Sequence, residues 1–479
     1  MFSIFDAARD AAEREALVCD DARLSFAALG RRVAVRLSQL RQLGLEPAQT
    51  RPAALIADNS LPMFEVLYAL LELGVPLLPL HPRLTSHERG TLMNRSHALT
   101  LIDPRALEPI VATGAERTPI PVSSAAVSGE HPLAIVPSSG SSGQPKLVEL
   151  SRRAFFELAR GDAERVPPAA SDRALLCMPL SHVGGLSVLL RSLAARRACV
   201  VFGAAKAGLL QAAGELATAL SRERISLLSL VPAVLARLLR EVPDFARRTP
   251  LRALLLGGQA CSLELFDEAR AQGVPLLTSY GLTETCSQVS TLAFPAPSNV
   301  ATRGGVLSSG FPLSRVELRV RNGLIEVRGP TLFSGYLGGP STLDEEGFFH
   351  TGDRGELDPE AGLFVFGRAC ELIITGGENV DPSEVEHALL GCQGLEAACV
   401  FAVPDPEFGE KVAVALEARV GAERDEPALF SALSARLAPF KQPRLLCWFD
   451  ELPRLGSGKL DRSRIRAEAN ARLRKPART

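Results

Sequence analysis

Neither sign of charge is in excess in this chain of 479 residues: 53 Lys and Arg stand against 54 Asp and Glu, a formal net charge of -1. A global field that would steer the protein onto nucleic acid or an anionic bilayer is therefore missing. Paired cysteines are missing too. The nine thiols, at 19, 177, 199, 261, 286, 370, 392, 399 and 447, form no CxxC pair and no Cys/His cluster. That excludes the common zinc and dithiol motifs, and an odd, scattered set reads as reduced, mostly buried cysteines of a cytosolic protein. No apolar run is long enough to span a bilayer. The most apolar one, Phe64 to Leu80, is broken by Glu65, Glu72, Gly74, Pro76 and Pro79. The N-terminus turns acidic at Asp6 and lacks a signal-peptide core. A cytoplasmic location is expected, with no membrane insertion and no nucleic-acid partner. The basic tail from Arg462 to Arg478 reads as a solvated helix face and a frayed terminus.

Two familiar phosphate and nucleophile loops are also absent. A P-loop needs G-x-x-x-x-G-K-[ST], but Lys146 lies three residues after Gly143 and is followed by Leu147. Gly456-Ser457-Gly458-Lys459-Leu460 fails the same test, because Pro453 stands where the first Gly belongs. A G-x-S-x-G elbow fails at Gln144.

Present instead is a stretch from Ser138 to Lys146, Ser-Ser-Gly-Ser-Ser-Gly-Gln-Pro-Lys, behind the strand-like Pro132-Leu133-Ala134-Ile135-Val136. Its glycines permit the backbone of an anion nest, its hydroxyls and N–H groups suit a polyphosphate, and its Lys adds a point charge. The same composition also describes a flexible connection.

The chain is too long for one core and divides into two to four domains or subdomains. Short apolar runs, Ala53 to Ala57, Leu175 to Met178, Ala198 to Phe202, Leu227 to Leu230 and Ala253 to Leu256, alternate with helical patterns such as Phe64 to Leu73. That rhythm predicts parallel α/β sheets. From about Gly310 it gives way to period-two strands, Val316 to Val320 and Leu324 to Arg328, joined by tight glycine turns, which predicts a small antiparallel sheet or barrel. Past Gly367-Arg368, two helical patterns (Ser383 to Leu390, Pro427 to Leu437) and several strands predict a separate α+β domain. The expected division is a large α/β domain over 1–369, with a β-rich subdomain at about 305–369, and a small mobile α+β domain over 370–479.

Four further segments carry chemistry. Tyr280-Gly281-Leu282-Thr283-Glu284-Thr285 follows a strand, and ligands collect at strand carboxyl ends in open α/β sheets. A hydroxyl beside a carboxylate suits phosphate and Mg²⁺. Asp353, after Gly352, is placed either to accept ribose hydroxyls or simply to form a turn. Gly367 to Val380 contains Gly376-Gly377, which allows close backbone approach to a ligand. Lys459 sits on a Gly-Ser-Gly loop and, taken in isolation, reads as a solvated surface lysine.

These segments, in this order, resemble the AMP-forming adenylating superfamily of acyl- and aryl-CoA ligases, luciferases and peptide-synthetase adenylation domains. The likeness runs from about Asp21 to Arg462 and includes Arg83-Leu84-Thr85 and Val403 to Glu410. It implies ATP, Mg²⁺ and coenzyme A as reaction partners of a carboxylic acid, and a homo-oligomer is compatible with it. On this chain it implies that Ser138, Ser139, Gly140, Ser141, Ser142, Gly143 and Lys146 cover the β/γ-phosphates. Gly257, Gly258, Gln259, Ser279, Tyr280 and Gly281 would flank the adenine and the acyl pocket. Thr283 and Glu284 would hold phosphate and Mg²⁺, Asp353 and Arg368 the ribose, and Lys459 would bridge the attacking carboxylate and the α-phosphate. Gly376 and Gly377 would line the tunnel used after the small domain rotates. The chain departs from the family pattern at Leu147, at Leu455 and at Cys370-Glu371, where the hinge residue is expected.

Within that superfamily, Leu180 to Ser192 and Ser279 to Val289 look most like the 2-succinylbenzoate–CoA ligases of menaquinone biosynthesis. Such a substrate carries a second carboxylate, which is costly to bury unpaired. Arg191 is the expected counter-charge, or else a helix arginine snorkelling to solvent. His182 either walls the pocket or is a structural histidine. Gly185 is expected to leave room for a ring, and Thr285, Ser287 and Gln288 to offer neutral donors at the pocket floor. A simple aryl or fatty acid, an amino acid, and a catalytically inactive homologue are the competing readings.

Overall fold

The computed structural model describes residues 2–110, 118–121, 127–138, 146–203, 212–368, 373–375, 378–390, 392, 394–405, 408–434, 436–437, 439–456 and 458–473. The short apolar runs of the sequence become strands with both faces covered, as parallel sheets require. One sheet has nine strands in the spatial order Phe311–Pro312, Ser287–Thr291, Leu276–Leu282, Ala253–Leu256, Leu227–Leu230, Arg173–Leu176, Ala198–Val201, Glu15–Cys19 and Ala22–Ser25. From Leu276–Leu282 across to Glu15–Cys19 the neighbours are parallel. A second sheet has six strands in the order Gly335–Tyr336, Lys146–Ser151, Pro132–Ser138, Leu77–Leu80, Ala53–Ile56 and Leu101–Ile102. Helices pack between and around both sheets and share one large apolar cluster with them.

Local chemistry sets the helix ends. Ser151 Oγ accepts the Ala154 N–H and caps Arg152–Arg165. Thr85 and Glu88 close a reciprocal capping box on Ser86–Ser96. Leu61–Leu73 stops at Gly74, whose φ of 73° is the left-handed geometry of a helix terminus.

The period-two segments form a four-stranded antiparallel sheet, Glu317–Arg321, Leu324–Arg328, Phe349–Asp358 and Gly362–Arg368. Beyond it lies a separate small domain. There Gly409–Ala418 pairs antiparallel with Leu395–Asp405 and parallel with Leu445–Phe449. Helices Pro382–Leu390, Glu426–Ser434 and Arg462–Leu473 cover this sheet, with one apolar cluster on each side. The fold is mixed α/β with an α+β C-terminal domain. The expected boundary at 370 lies outside the described residues, as do the Cys370-Glu371 hinge pair and Gly376-Gly377.

The two bodies touch through specific side chains. Arg354 Nη1 meets Asp381 Oδ2 at 3.0 Å, and Arg240 is ion-paired with Glu396. A Cβ on Gly456 would lie 2.9 Å from His81 Nε2, so that loop sits directly on the carboxyl end of Leu77–Leu80. No helix of the described residues is long and apolar enough to cross a membrane.

Candidate active site

Strand ends and cross-strand register build the site. Ser138 and Lys146 face each other where strands Pro132–Ser138 and Lys146–Ser151 begin their pairing. The intervening Ser139, Gly140, Ser141, Ser142 and Gly143 lie outside the described residues. Lys146 Nζ rests over the Tyr336 ring at 4.6 Å, and the Tyr336 hydroxyl donates to Glu284 Oε1 at 2.9 Å. Burial, then the Glu284 charge, pushes the Tyr336 phenol up. A lysine, a tyrosine and the Thr283–Thr285 turn are thus linked, although they lie far apart in sequence. Tyr336 carries no motif signal and is found only through its geometry.

The next contact is a carboxylate held from two sides. Asp353 and Arg368 are register partners on adjacent antiparallel strands. Arg368 Nε reaches Asp353 Oδ1 at 2.9 Å, and Nη1 donates to the Thr351 carbonyl at 2.7 Å. The buried Tyr280 hydroxyl donates to Asp353 Oδ2 at 2.7 Å. A carboxylate has about four lone-pair sites, so one oxygen can accept more than a single donor. Burial and the adjacent Asp353 charge raise the Tyr280 phenol, which keeps it a donor.

Glycines allow close approach at the same edge. A Cβ on Gly257 would stand 2.6 Å from Ser279 Oγ, and one on Gly281 would overlap the Ser287 carbonyl. Gly258 has φ +79°, and a Cβ there would come within 2.9 Å of Lys459 Cε. The lysine of the small domain therefore lies across the Gly258 backbone, beside Gln259. Its loop is tight: Leu455 N donates to the Lys459 carbonyl at 2.7 Å, and Gly458 N to the Leu455 carbonyl at 2.9 Å. Burial, and next the Arg368 charge, lower the Lys459 ammonium. His182 stands close by at the start of helix Val183–Ala194. Its imidazole is pushed down to about 4 by burial, then by Lys459 and His81, so it is neutral near pH 7. His81 was not singled out in the sequence. Its Nδ1 accepts the Arg83 N–H at 3.2 Å, which leaves the proton on Nε2, facing the Gly456 loop.

The acyl side differs from its sequence reading at several residues. Arg191 does not snorkel. It is buried at 6% exposure, with Nη1 on Asp162 Oδ1 at 2.6 Å and Gln288 Oε1 at 3.2 Å. Its Nε donates to the Ser187 carbonyl at 3.2 Å, and among the described residues Nη2 makes a 3.4 Å contact to Ser229 Oγ. Gly185 leaves no open room for a ring: a Cβ there would strike the Pro179 carbonyl, so the glycine lets the helix start pack on that backbone. Thr285 is fully buried, and its hydroxyl accepts the Leu282 N–H at 2.9 Å and braces the turn. Gln288 is buried, and its amide lies between Arg191 and Asp162. Ser287 remains half-buried, with φ 92°. Asp162 and Ser229, from other elements, complete this group and left no mark in the sequence.

A carboxylate held by Tyr280 and Arg368, a lysine from the small domain and a glycine-cleared strand end are brought together here. The model of the AMP-binding enzymes matches residues 4–337, and that of the AMP-binding enzyme C-terminal domain matches 384–459. The chain belongs to the AMP-binding enzyme family. Among curated relatives, a 2-succinylbenzoate–CoA ligase of Bacillus cereus is 30% identical over 474 residues, covering 95% of each chain. One from a Geobacillus species is 30% identical over 480 residues, covering 95% of this chain and 94% of the relative. Among solved structures, the o-succinylbenzoate CoA synthetase of Bacillus subtilis in complex with its acyl-adenylate intermediate superposes with a TM-score of 0.82 at 28% identity. That match covers 96% of this chain and 97% of the other. The same enzyme with ATP and a magnesium ion gives 0.81 at 28% identity, covering 97% and 98%.

Proposed function

We propose that this protein is an acid–thiol ligase that activates 2-succinylbenzoate with ATP and passes the acyl group to coenzyme A, a step of menaquinone synthesis. The observation that carries the ligase reading is the meeting of Lys459 with Gly258 and His182 beside the Asp353–Arg368 pair. In the first half-reaction a carboxylate oxygen of the acid attacks the α-phosphorus. The bond from that phosphorus to the bridging oxygen breaks, and pyrophosphate leaves. In the second, the thiol sulfur attacks the acyl carbon, the bond to AMP breaks, and the thiol proton is lost to solvent.

Bringing a carboxylate to a triphosphate joins two anions, so positioning and positive charge matter more than a general base. Lys459 supplies a point charge on a flexible stem between the two reacting groups. Neutral His182 beside it adds no competing charge. Asp353 accepts the ribose hydroxyls while Tyr280 and Arg368 fix its plane. Ser138, Lys146 and the loop between them receive the outer phosphates. Gly257, Gly258, Gln259, Ser279 and Gly281 form the walls. Glu284 with Thr283 suits Mg²⁺, because a phosphate-bound magnesium takes only one or two carboxylates and, among the described residues, Tyr336 meets Glu284 through Oε1. When bound, Mg²⁺ neutralises phosphate charge. Gly376-Gly377 is assigned to the thiol tunnel of the second half-reaction by family resemblance alone.

For the acid, support comes from the shared name of the relatives and from Arg191. Asp162 and Gln288 hold one edge of its guanidinium and leave Nη2, beside Ser229, to meet a second carboxylate. The described cysteines are all buried, which fits a cytoplasmic enzyme. AMP release with ATP, Mg²⁺ and coenzyme A, offering 2-succinylbenzoate, benzoate and octanoate in parallel, tests the reading. Strong preference for the dicarboxylate is expected. Turnover mainly of benzoate or octanoate removes the pathway assignment and leaves the ligase mechanism standing.

A further inference from the structure

Behind Arg191 the charges do not balance. Arg191, Arg197 and Asp162 are exposed by only 6%, 6% and 3%. Asp162 Oδ1 takes the Arg191 hydrogen bond at 2.6 Å, and its other oxygen, Oδ2, is 3.9 Å from Arg197 Nη2, beyond hydrogen-bond reach. Arg197 Nε is buried without a protein acceptor among the described residues. The remaining groups that face Arg197 do not supply the missing charge. Asp172 is bound by Arg252 through two contacts of 2.7 Å, and burial pushes the Cys199 thiol up to about 12, so it stays neutral. A guanidinium does not escape by losing its proton. Two positive charges and one negative one are therefore held together inside the protein, where an uncompensated ion is expensive. A cavity of about 20 Å³ lies against Arg191, Arg197, Asp162 and Ser229, room for one or two small atoms.

We propose that Arg197 is a positioning residue for substrate choice: by sharing Asp162 with Arg191 it keeps one positive charge in reserve at the pocket floor, and that reserve is what a distal carboxylate of the acid satisfies. This rests on the dicarboxylic substrate proposed above. With Arg197 absent, Asp162 would neutralise Arg191 alone, and a second carboxylate would enter a site already balanced. Arg197 touches neither the nucleotide residues nor Lys459, so its effect falls on the acid and not on the chemistry.

Two measurements on the full-length protein separate this idea from the substrate reading. In steady-state kinetics, Arg197→Met should raise KM for 2-succinylbenzoate by at least about tenfold, the scale of removing one unit charge about 12 Å away at an effective dielectric of about 20. Its kcat, and its KM for benzoate, should stay within about twofold, and Arg197→Lys should restore the dicarboxylate KM. Equal changes for both acids would mark Arg197 as merely structural and overturn the proposal. Independently of any acid, wild-type crystals soaked in sodium bromide should show an anomalous peak within hydrogen-bond reach of the Arg191 and Arg197 guanidiniums, lost in Arg197→Met. No peak there, or bromide only at exposed arginines, means the charge is already balanced and overturns the proposal. A peak in a protein with no preference for the dicarboxylate keeps the charge reserve and rejects 2-succinylbenzoate as the substrate.

Discussion

The proposed nucleotide edge and the proposed acyl floor of the same site are built by opposite means. On the nucleotide edge, Asp353, Arg368 and Tyr280 are each a strand residue whose partner is fixed by register or by the next strand end. The acyl floor gathers Asp162 from one helix, Arg191 from the next, Ser229 and Gln288 from two strands, and Arg197 from a connection. The first arrangement compresses into short motifs. The second exists only after the helices Arg152–Arg165 and Val183–Ala194 have packed, and its charges are buried among them.

The sharpest way to break that contrast is Asp162→Ala. It leaves two buried guanidiniums without their shared carboxylate, and removing one partner of a buried ion pair costs about 3–5 kcal/mol. Denaturant unfolding should read a loss of that size, while folded protein keeps its affinity for ATP. A stability within error of wild type would mean that water already compensates the cluster. Next comes Lys459→Ala on the nucleotide edge. Adenylate formation should fall about 10²–10³-fold, by analogy with loss of one oxyanion donor. Thioester formation from supplied acyl-adenylate should be spared. Equal damage to both steps would reject the placement of Lys459 in the first half-reaction only.

Legibility in the sequence follows the same line. The strands at Ala53, Leu227 and Ala253, the helix before Gly74 and the change of rhythm near Gly310 were readable, because burial on both faces and period-two alternation leave plain patterns. Asp353, Arg368 and Glu284 were singled out through family resemblance, and the structure pairs the first two on adjacent strands. Tyr336, His81, Asp162 and Ser229 were not, since each acts through a partner remote in the chain. Arg191 was singled out, but its Asp162 partner was invisible, so a snorkelling side chain remained an open alternative. Gly185 misled for a local reason: a glycine reads as free space in sequence, yet here the space is filled by the Pro179 carbonyl.

A smaller effect tests how far the nucleotide edge depends on its preformed geometry. Tyr280→Phe deletes one hydrogen bond to the Asp353 carboxylate, and bonds to charged groups contribute about 1.5–3 kcal/mol. Stability should drop by about that amount, and KM for ATP should rise, because Asp353 loses one of the groups that hold it. The acid preference should not change. A shift in acid preference would show that the two regions are coupled through Tyr280.

The smallest expected effect near neutrality falls where the regions meet, at His182. Its imidazole is pushed from 6.5 down to about 4, first by burial and then by Lys459 and His81. As pH falls below 6.5, the unfolded chain takes up a proton that the folded protein refuses until about 4. The unfolded state then binds more protons, so stability declines through this window as pH drops and is fully present above it. Replacing His182 with Asn removes the titrating group and should flatten this part of the stability–pH curve, with little change near neutrality. The comparison of urea midpoints for the two proteins across the window isolates the histidine from every carboxylate that titrates in both. Parallel curves would mean that His182 takes its proton in the folded state as readily as in the unfolded one, and that Lys459 is not close enough to resist it.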